Sequence, residues 1–573
     1  MKHTLSILAG LLTLAGACTC AAQREAPSEQ KGPPPIIPGA AGFGINTPAG
    51  SGRHLQIPRT TVYKVTNLNT SGPGSLAAGL EAEGPRVIVF EVSGNIDFRP
   101  YRALAIKNPY LTVAGQTAPS PGITLVGCEL HVNAHDVLLQ HIRVRVGDLT
   151  DPTRAEVDPK SGWSQWSERD CMKVNAKARR TVIDHCSFSW ATDELVQSRA
   201  NEVTFRHNLF SECLATTKHH KGTHSKALIV LDQAPKDRVD DDARESRNVA
   251  IVGNLFAHNG DRHPQATGGS TVAVINNFMY DAEGARPRIG ITVFNTPVEG
   301  SRGGGILVSV IGNHFDRVPR IVRLWPSAPN VLGKIFLDDL LVTYSKKTPG
   351  SPIELVHQPV ADPWHSPHVL RFHEWMGKPL PPERDPERSK VSQPPVVVPN
   401  LEIRPAAEVR GWVLATAGAR PMDRDPVDAR IIQEVRDRTG NIPSSQKDVG
   451  GWPELAKNHR ELKLPASPNG DDDGDGYTNL EEWLHNFTER VEHGGSQQTT
   501  RTSREEKIGQ DTSKPCPVRS RLGNNWGNRD HLSTRSRQDE VKRQDPTARV
   551  HRSAGRRDRS AASRTSPQAS SRT

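Results

Sequence analysis

The sequence predicts an all-β chain folded as a right-handed parallel β-helix with loop insertions, followed by an irregular, partly helical C-terminal extension and a disordered basic tail. Three observations predict this fold class. Short apolar strands recur through the middle of the chain, an Asn or Cys stands at the same place in five of them, and no helical period separates them. Stacked coils of such strands form a solenoid in which each coil buries its apolar side chains against its neighbours.

The repeated segments are VIDHCSF, TFRHNLF, AIVGNLF, AVINNFM and SVIGNHF. Aligned on Cys186, Asn208, Asn254, Asn277 and Asn313, they are 22, 46, 23 and 36 residues apart. A step in the low twenties fits one coil of a solenoid, and we interpret the step of 46 as two coils. The four Asn residues are then expected to form a ladder, in which each side-chain amide bonds the coils above and below it.

Composition divides the chain into six segments. The first has a basic start, an apolar stretch and small residues, the pattern of a secretory signal peptide, so we expect an extracellular protein, with a lipid anchor at Cys18 as the alternative. The predicted segments are the signal peptide (1–22), the β-helix (36–320), a Pro-rich wrap or linker (321–400), a partly helical extension (401–463), an acidic loop segment (464–490) and the tail (491–573).

The positive charge of the chain belongs to its tail. The whole chain has 73 basic and 64 acidic residues, but residues 501–573 alone hold 18 basic and 8 acidic ones, which leaves the rest close to neutral. The tail is rich in Ser and Arg and poor in branched aliphatic residues, so we expect it to be disordered. We expect no nucleic-acid partner, and no later apolar run is long enough to predict a membrane span. A monomer is expected.

Acidic side chains cluster on neighbouring repeats. Asp170 opens the strand DCMKV, and Asp193 and Glu194 end the segment DHCSFSWATDE. Alternation along strands can bring these carboxylates to one surface, where two or three of them would suit Ca²⁺. Spacing alone leaves capped turns and surface charges as the alternative.

A second acidic motif lies beyond the repeats. The twelve residues from Asp471 to Glu482 match the EF-hand loop, with Gly476 at its sharp turn. Pro465 and Pro468 argue against a long entering helix, so we expect a structural Ca²⁺ clip rather than a switch. The predicted ligands are Asp471, Asp473, Asp475, Tyr477, Asn479 and Glu482.

Four ordered segments resemble secreted pectate lyases of the parallel β-helix polysaccharide lyase kind. They are TVYKVTNLNTSGPGSLAAGLEAEGPRVIVFEVSGNI, LTVAGQTAPSPGITL, VIDHCSFSWATDE and FAHNGDRHP, and the resemblance covers roughly residues 36–320. Residues 417–453 resemble an extension often attached to such enzymes. The resemblance implies a Ca²⁺-dependent lyase that cleaves the acidic polysaccharide polygalacturonate by β-elimination. It also implies that Asp170 binds the catalytic Ca²⁺ and that Asp193 or Glu194 supplies a further ligand.

The same resemblance assigns roles to basic residues. Arg262, in NGDRHP, matches the catalytic arginine, and Lys226, in HSKALI, matches a lysine that binds the substrate carboxylate, with His224 beside it. At position 267 the family often has a second arginine, but this chain has Thr267, which leaves the substrate preference open.

The chemistry explains why these residue types are needed. β-Elimination removes the C5 proton beside a carboxylate, and that proton is too weakly acidic until the carboxylate charge is neutralised. Arg262 would then accept the proton. The alternative assigns Lys226 as the base and Arg262 as the group that stabilises the developing charge.

Two other functions remain open at this stage. A polygalacturonase-type hydrolase would need paired acids, for which Asp240–Asp242 are the candidates. A non-catalytic polysaccharide-binding solenoid would be compatible with Thr267.

Overall fold

The structure is a computed structural model that describes residues 32–148, 168–215, 223–231, 247–281, 288–295, 305–326, 333–349, 351–371 and 385–494. The predicted signal peptide, the acids Asp240–Asp242 and the tail beyond residue 494 lie outside these residues. All described residues belong to one compact unit.

Strands are the predominant secondary structure of the described chain. They are β1 (Thr61–Val65), β2 (Arg86–Phe90), β3 (Gly94–Ile106), β4 (Leu111–Ala114), β5 (Ile123–Val132), β6 (Val137–Gln140), β7 (Ile142–Arg145), β8 (Met172–Val174), β9 (Arg179–Asp184), β10 (Ser187–Ser189), β11 (Glu194–Ser198), β12 (Asn201–Arg206), β13 (Leu209–Ser211), β14 (Lys226–Val230), β15 (Val249–Val252), β16 (Leu255–Ala257), β17 (Gln265–Thr267), β18 (Thr271–Ile275), β19 (Phe278–Tyr280), β20 (Ile289–Asn295), β21 (Ile306–Ile311), β22 (His314–Asp316), β23 (Arg320–Pro326), β24 (Gly333–Asp338), β25 (Leu341–Lys346), β26 (Glu354–Pro359) and β27 (Val369–Arg371). The α-helices are α1 (Leu76–Glu81), α2 (Ala406–Thr416), α3 (Pro426–Asp437) and α4 (Asn479–His493).

The strands stack in three parallel series, which confirms the parallel β-helix. Stack 1 runs β1, β2, β4, β6, β9, β12, β15, β18, β21 and β24. Stack 2 runs from β7 through β10, β13, β16, β19 and β22 to β25. Stack 3 runs from β8 through β11, β14, β17, β20 and β23 to β27. From β6 onward each coil contributes one strand to each stack, whereas the longer strand β5 of the preceding coil pairs with both β7 and β8. Strand β26 pairs antiparallel to β25. The apolar side chains of all three stacks face a common core.

The predicted Asn ladder is confirmed inside this solenoid. The Nδ2 of Asn208 donates to the Oδ1 of Asn254 at 3.0 Å, Asn254 donates in the same way to Asn277 at 2.9 Å, and Asn277 donates to Asn313 at 3.1 Å. The interpretation of the 46-residue step as two coils is wrong, because β12 pairs directly with β15 and Asn208 bonds Asn254 directly. One coil carries a long insertion there.

The solenoid continues past the predicted boundary at residue 320. Strand β23 begins at Arg320 and pairs in parallel with β20, and β24 pairs in parallel with β21. Residues 321–326 and 333–346 therefore belong to the β-helix, contrary to the interpretation of this region as a linker.

The C-terminal extension packs on the outside of two stacks. Apolar residues of α2 and α3, among them Val409, Val413 and Ile431, lie against outward side chains of stack 2. Leu480 and Leu484 of α4 lie against stack 1. Helix α4 ends at His493, three residues beyond the predicted boundary at 490.

Candidate active site

Charged side chains from four successive coils form a row at the start of the stack 3 strands. Glu194 opens β11 and is paired in register with Lys226, which opens β14, and Lys226 is bridged in parallel to Asp261 on the next coil. On the other side, the backbone N–H of Glu194 donates to Oδ1 of Asp170 at 3.0 Å. Neighbouring strands are about 4.8 Å apart, so register places residues distant in sequence side by side.

The acidic end of the row contains the predicted ligands of the catalytic Ca²⁺. Asp170 is 1% exposed, and Asp193 and Glu194 lie beside it on the next coil. One ligand atom from each of Asp193, Glu194 and His224 lies within 4.8 Å of the others. Burial, followed by the nearby charge of Asp193, raises the pKa of Asp170 well above its usual value although Lys173 opposes the change. This end of the row is therefore an electrostatically costly place for carboxylates without a cation.

Arg262 lies against these acids. Its guanidinium forms an ion pair with the Oε1 of Glu194, and its side chain is 18% exposed. Burial lowers the pKa of Arg262 to about 10, and Arg323 contributes to the same direction, while Asp193 and Asp170 oppose it. Burial and the charge of Arg323 thus favour loss of a proton from this guanidinium, whereas the neighbouring acids favour its charged form.

The predicted substrate ligands Lys226 and His224 are already engaged with acids. The Nζ of Lys226 lies 3.3 Å from Oδ2 of Asp261, and the Nε2 of His224 lies 2.5 Å from Oδ1 of Asp193. Lys226 therefore lies beside Arg262 at the boundary of the acidic end, whereas His224 lies within that end and contacts a predicted metal ligand.

Two basic residues and one acid of this row, Arg323, Lys173 and Glu129, were not singled out from the sequence. Arg323 Nη2 lies 3.2 Å from Oδ2 of Asp261, on the far side from Lys226. At the other end, Lys173 Nζ lies 2.6 Å from Oε1 of Glu129 and 3.6 Å from Asp170. Lys173 could have been predicted as a neighbour of Asp170, because it stands three residues later in the segment DCMKV. No local signal marks Arg323, which comes 62 residues after Asp261.

Position 267, where the family often has a second arginine, supplies no basic side chain to this row because it is Thr267. It lies in β17, is 3% exposed, and its Oγ1 donates to the backbone carbonyl of Val230 at 3.1 Å. Arg323 lies on the same stack, in β23, and its charge acts on Arg262.

The donor set at the acidic end fits a hard divalent cation. Buried oxygens Oδ2 of Asp170 and Oε2 of Glu194 make no hydrogen bond with the described residues. Carboxylate oxygens are the ligands that Ca²⁺ prefers, and a buried carboxylate without a donor carries a large desolvation cost. Asp170, Asp193 and Glu194 are the residues that would hold the ion.

The predicted EF-hand ligands lie together at the start of α4. Carboxylate oxygens of Asp471, Asp473 and Asp475 lie within 4.8 Å of one another, and Glu482 is in the first turn of the helix. The N–H groups of Gly474 and Gly476 donate to Asp471 at 2.8 and 3.1 Å. No helix enters the loop, in keeping with the two prolines upstream. The remaining two predicted ligands, in the same loop, are Tyr477 and Asn479.

Comparisons with known proteins place the chain among relatives of one kind. No family model matches it. A protein from Neosartorya fischeri named probable pectate lyase C is 27% identical over 483 residues, which cover 80% of this chain and 94% of that relative. The chain is a homologue of that protein. A protein of the same name from Aspergillus terreus is 29% identical over 282 residues. The match covers 49% of this chain, and the chain spans 54% of the length of that relative.

The chain is also similar to two solved structures. The structure described as pectate lyase bound to hexasaccharide shares 15% identity with a TM-score of 0.41, covering 68% of this chain and 99% of that one. Jun a 1, the major allergen from cedar pollen, shares 15% identity with a TM-score of 0.42, covering 65% of this chain and 91% of that one. Among the described residues, no helix has the length and apolar character needed to cross a membrane.

Proposed function

We propose that the protein is a secreted, Ca²⁺-dependent pectate lyase that cleaves polygalacturonate by β-elimination. Homology to the protein from Neosartorya fischeri supports the enzyme class. The observation that carries the mechanism is the ion pair between Arg262 and Glu194, beside the buried carboxylate of Asp170. A proton acceptor and a cation-binding group therefore stand next to each other at the start of stack 3.

The residues of the row divide the work of elimination between them. Neutralising the uronate carboxylate, and so acidifying the neighbouring C5 proton, is the chemistry that bound Ca²⁺ supplies. Lys226, held by Asp261, binds a substrate carboxylate and orients the ring. Arg262 acts as the neutral guanidine and becomes guanidinium when it takes the C5 proton. The electron pair of the C5–H bond forms the C4–C5 double bond as the C4–O bond breaks, and the leaving glycosidic oxygen takes a proton from water.

Arg262 is assigned as the base in preference to Lys226 because of what surrounds each group. The ammonium of Lys226 lies 3.3 Å from the carboxylate of Asp261, which favours a charged, binding role. Arg262 is surrounded by charges of both signs, and its pKa is lowered to about 10. If Glu194 held the cation, the guanidinium of Arg262 would lose its ion-pair partner, which would ease its deprotonation further.

The test is to mix purified protein with polygalacturonate, with Ca²⁺ or with chelator, and follow the ultraviolet absorbance of the unsaturated product. We expect product with Ca²⁺ and none with chelator. Arg262→Ala should lower kcat about 100- to 10,000-fold, the usual contribution of a general base. Lys226→Ala should chiefly raise KM. Arg436→Ala, which alters an exposed arginine of α3, is the matched control and should behave as wild type.

The outcomes separate the alternatives. New reducing ends without the unsaturated product would show a hydrolase and reject elimination. A Lys226→Ala variant that loses kcat while Arg262→Ala keeps it would exchange the two roles. Wild-type protein that binds polygalacturonate without cleaving it would reject the enzyme and leave a binding solenoid.

Three further assignments belong to the same proposal. Residues 1–22 direct secretion, the loop from Asp471 to Glu482 binds a structural Ca²⁺, and the protein acts as a monomer. The clustered carboxylates of Asp471, Asp473 and Asp475 support the second of these. The segment 36–320 contains every residue of the proposed catalytic row except Arg323, which lies just beyond the predicted boundary in β23.

A further inference from the structure

A buried group of histidines and acids lies outside the candidate active site. His141 follows β6, Asp184 ends β9, and His185 follows it, so the three lie at the same corner of neighbouring coils, between stacks 1 and 2. Glu492, in the last turn of α4, reaches this corner from the extension. These four residues are called the corner cluster below. None of them takes part in the proposed elimination.

The distances within the corner cluster fit a tetrahedral metal site. One ligand atom from each of the four residues lies within 4.8 Å of the others. The Nδ1 of His185 lies 2.9 Å from Oδ1 of Asp184 and 3.1 Å from Oε1 of Glu492, and the Nε2 of His141 lies 3.2 Å from the same Oε1. Bonds of 2.0–2.1 Å to a tetrahedral ion put its ligand atoms about 3.3 Å apart, close to all three values.

Hydrogen bonding alone leaves the corner cluster poorly satisfied. His141 is fully buried, and neither of its ring nitrogens makes a well-aligned hydrogen bond with any described residue. Nδ1 of His185 has one hydrogen at most, yet it faces oxygens of both Asp184 and Glu492. Buried polar groups without partners are rare in native proteins. A cation at the centre would give a partner to Nε2 of His141 and to Nδ1 of His185.

The net charge of the corner cluster and the hydrogen bonds around it agree with a bound divalent cation. Two carboxylates with two neutral imidazoles carry two negative charges, which a divalent ion would neutralise. Arg206 already offsets part of that charge, because its Nη1 lies 3.4 Å from Oδ1 of Asp184. The other oxygen of Asp184 accepts from Nε2 of Gln140 at 2.8 Å. Contacts of that kind hold metal-binding side chains in place.

We propose that the corner cluster binds one Zn²⁺ ion, or a transition-metal ion of similar preference, and fastens the end of α4 to the β-helix. Two imidazoles and two carboxylates suit such an ion, whereas Ca²⁺ takes oxygen ligands. Because Glu492 lies on the extension and the other three ligands on the solenoid, the ion would join parts of the chain about 300 residues apart. The site is structural, so it predicts stability rather than activity.

The test uses the full chain, treated with chelator, dialysed, and then given Zn²⁺ alone or Co²⁺ alone. Wild type should retain one more Zn²⁺ per chain than Glu492→Gln or His141→Gln, and its unfolding midpoint should rise with Zn²⁺. The Co²⁺ form should show the strong visible absorption of a tetrahedral site, which both variants should lose. Glu492 is 14% exposed, so Glu492→Gln also tests the proposal in a chain whose solenoid core is untouched.

His207→Gln is the matched control. His207 stacks on His185 with ring centroids 4.8 Å apart and is buried, but it is not one of the four ligands. It should keep the Zn²⁺ and the Co²⁺ spectrum of wild type. Equal Zn²⁺ content in wild type and Glu492→Gln would place the ion elsewhere and reject the proposal. No Zn²⁺ uptake by wild type, or only the weak spectrum of octahedral Co²⁺, would show a hydrogen-bonded histidine–acid network instead.

Discussion

Charged His258 fastens α3 to stack 2, and this contact makes stability depend on pH. The Nδ1 of His258 lies 2.8 Å from Oδ2 of Asp281, and its Nε2 lies 3.4 Å from Oε2 of Glu434 in α3. Burial by itself would lower the pKa of His258, but the two carboxylates, helped by the charge of Glu212, outweigh burial and raise it to about 9. The other charged groups at this junction are Arg430, paired with Glu212 and Glu434, and Arg317, paired with Asp281.

The size and the sign of the effect follow from linkage. A histidine with its ordinary pKa of 6.5 in the unfolded chain and a pKa of about 9 in the folded chain binds its proton more tightly when folded. At about 1.4 kcal/mol for each pKa unit, its contribution to stability is on the order of 3 kcal/mol. That contribution is fully present below pH 6.5 and is lost as the pH rises through 9.

Urea unfolding of wild type and His258→Gln at about pH 6 and about pH 10 measures this contribution. We expect the variant to be less stable than wild type by on the order of 3 kcal/mol at the lower pH, with most of that difference gone at the higher pH. Comparing the two proteins at each pH cancels the titration of all other groups. His459→Gln, at an exposed position, is the control and should show no such change. An equal loss of stability at both pH values would refute the reasoning, because it would mean that His258 is uncharged in the folded protein.

Three other predictions concern the ladder, the buried ion pairs and the acidic loop. Asn254→Ala should lower the free energy of unfolding by about 3 kcal/mol in urea, because it leaves buried groups on both neighbouring coils without partners; a loss under about 1 kcal/mol would contradict a continuous ladder. Asp425→Asn should cost about 3–5 kcal/mol in the same assay, since it leaves the buried guanidinium of Arg145 short of a charge, and a neutral result would show that water reaches the pair. Glu482→Gln should weaken terbium emission sensitised by Tyr477, and unchanged emission would place the ion outside this loop.

The sequence predicts the solenoid because the pattern that specifies each coil lies within one short segment and is repeated along the chain. Each ladder residue follows an apolar strand within the same short segment, so alignment of the segments gives Asn208, Asn254, Asn277 and Asn313 directly. Their spacing does not show how many coils an insertion replaces, because a loop of any length can leave and rejoin one coil at little entropic cost. That is why the 46-residue step is one coil, although the length suggested two.

The candidate site is predicted in part for the same reason. Asp170 and Glu194 are predicted to share a surface because each stands at the same place in its strand, and the hydrogen bond between them shows that surface. The contact of Arg323 with Asp261 depends on how many coils separate them and on the register of β20 and β23. No local pattern contains that information, so this neighbour of Arg262 is visible only in three dimensions.

The extension is part of the same folding unit as the β-helix, and charge burial explains why. Arg143 and Arg145, on β7, are fully buried beneath Asp425 and Asp428 at the start of α3, with Arg145 Nη2 lying 2.8 Å from Oδ1 of Asp428. Removing one partner from a buried ion pair costs several kcal/mol, so solenoid and extension depend on each other. In the sequence the two arginines stand about 280 positions before the two aspartates, and no local pattern indicates that they form ion pairs.

This arrangement also explains where a polymer can bind. Helices α2 and α3 cover stack 2 and α4 covers stack 1, and the apolar clusters that these three helices form with the solenoid include no residue of stack 3. The outer face of stack 3 carries the row from Asp170 to Asp261, and further along it the partly exposed rings of Phe294 and Trp325 pack with centroids 4.7 Å apart. Aromatic rings beside basic groups suit a chain of acidic sugars, because one surface then offers both apolar contact and charge. Under the proposed function, the extension stabilises two faces of the β-helix, and a substrate would run along the third.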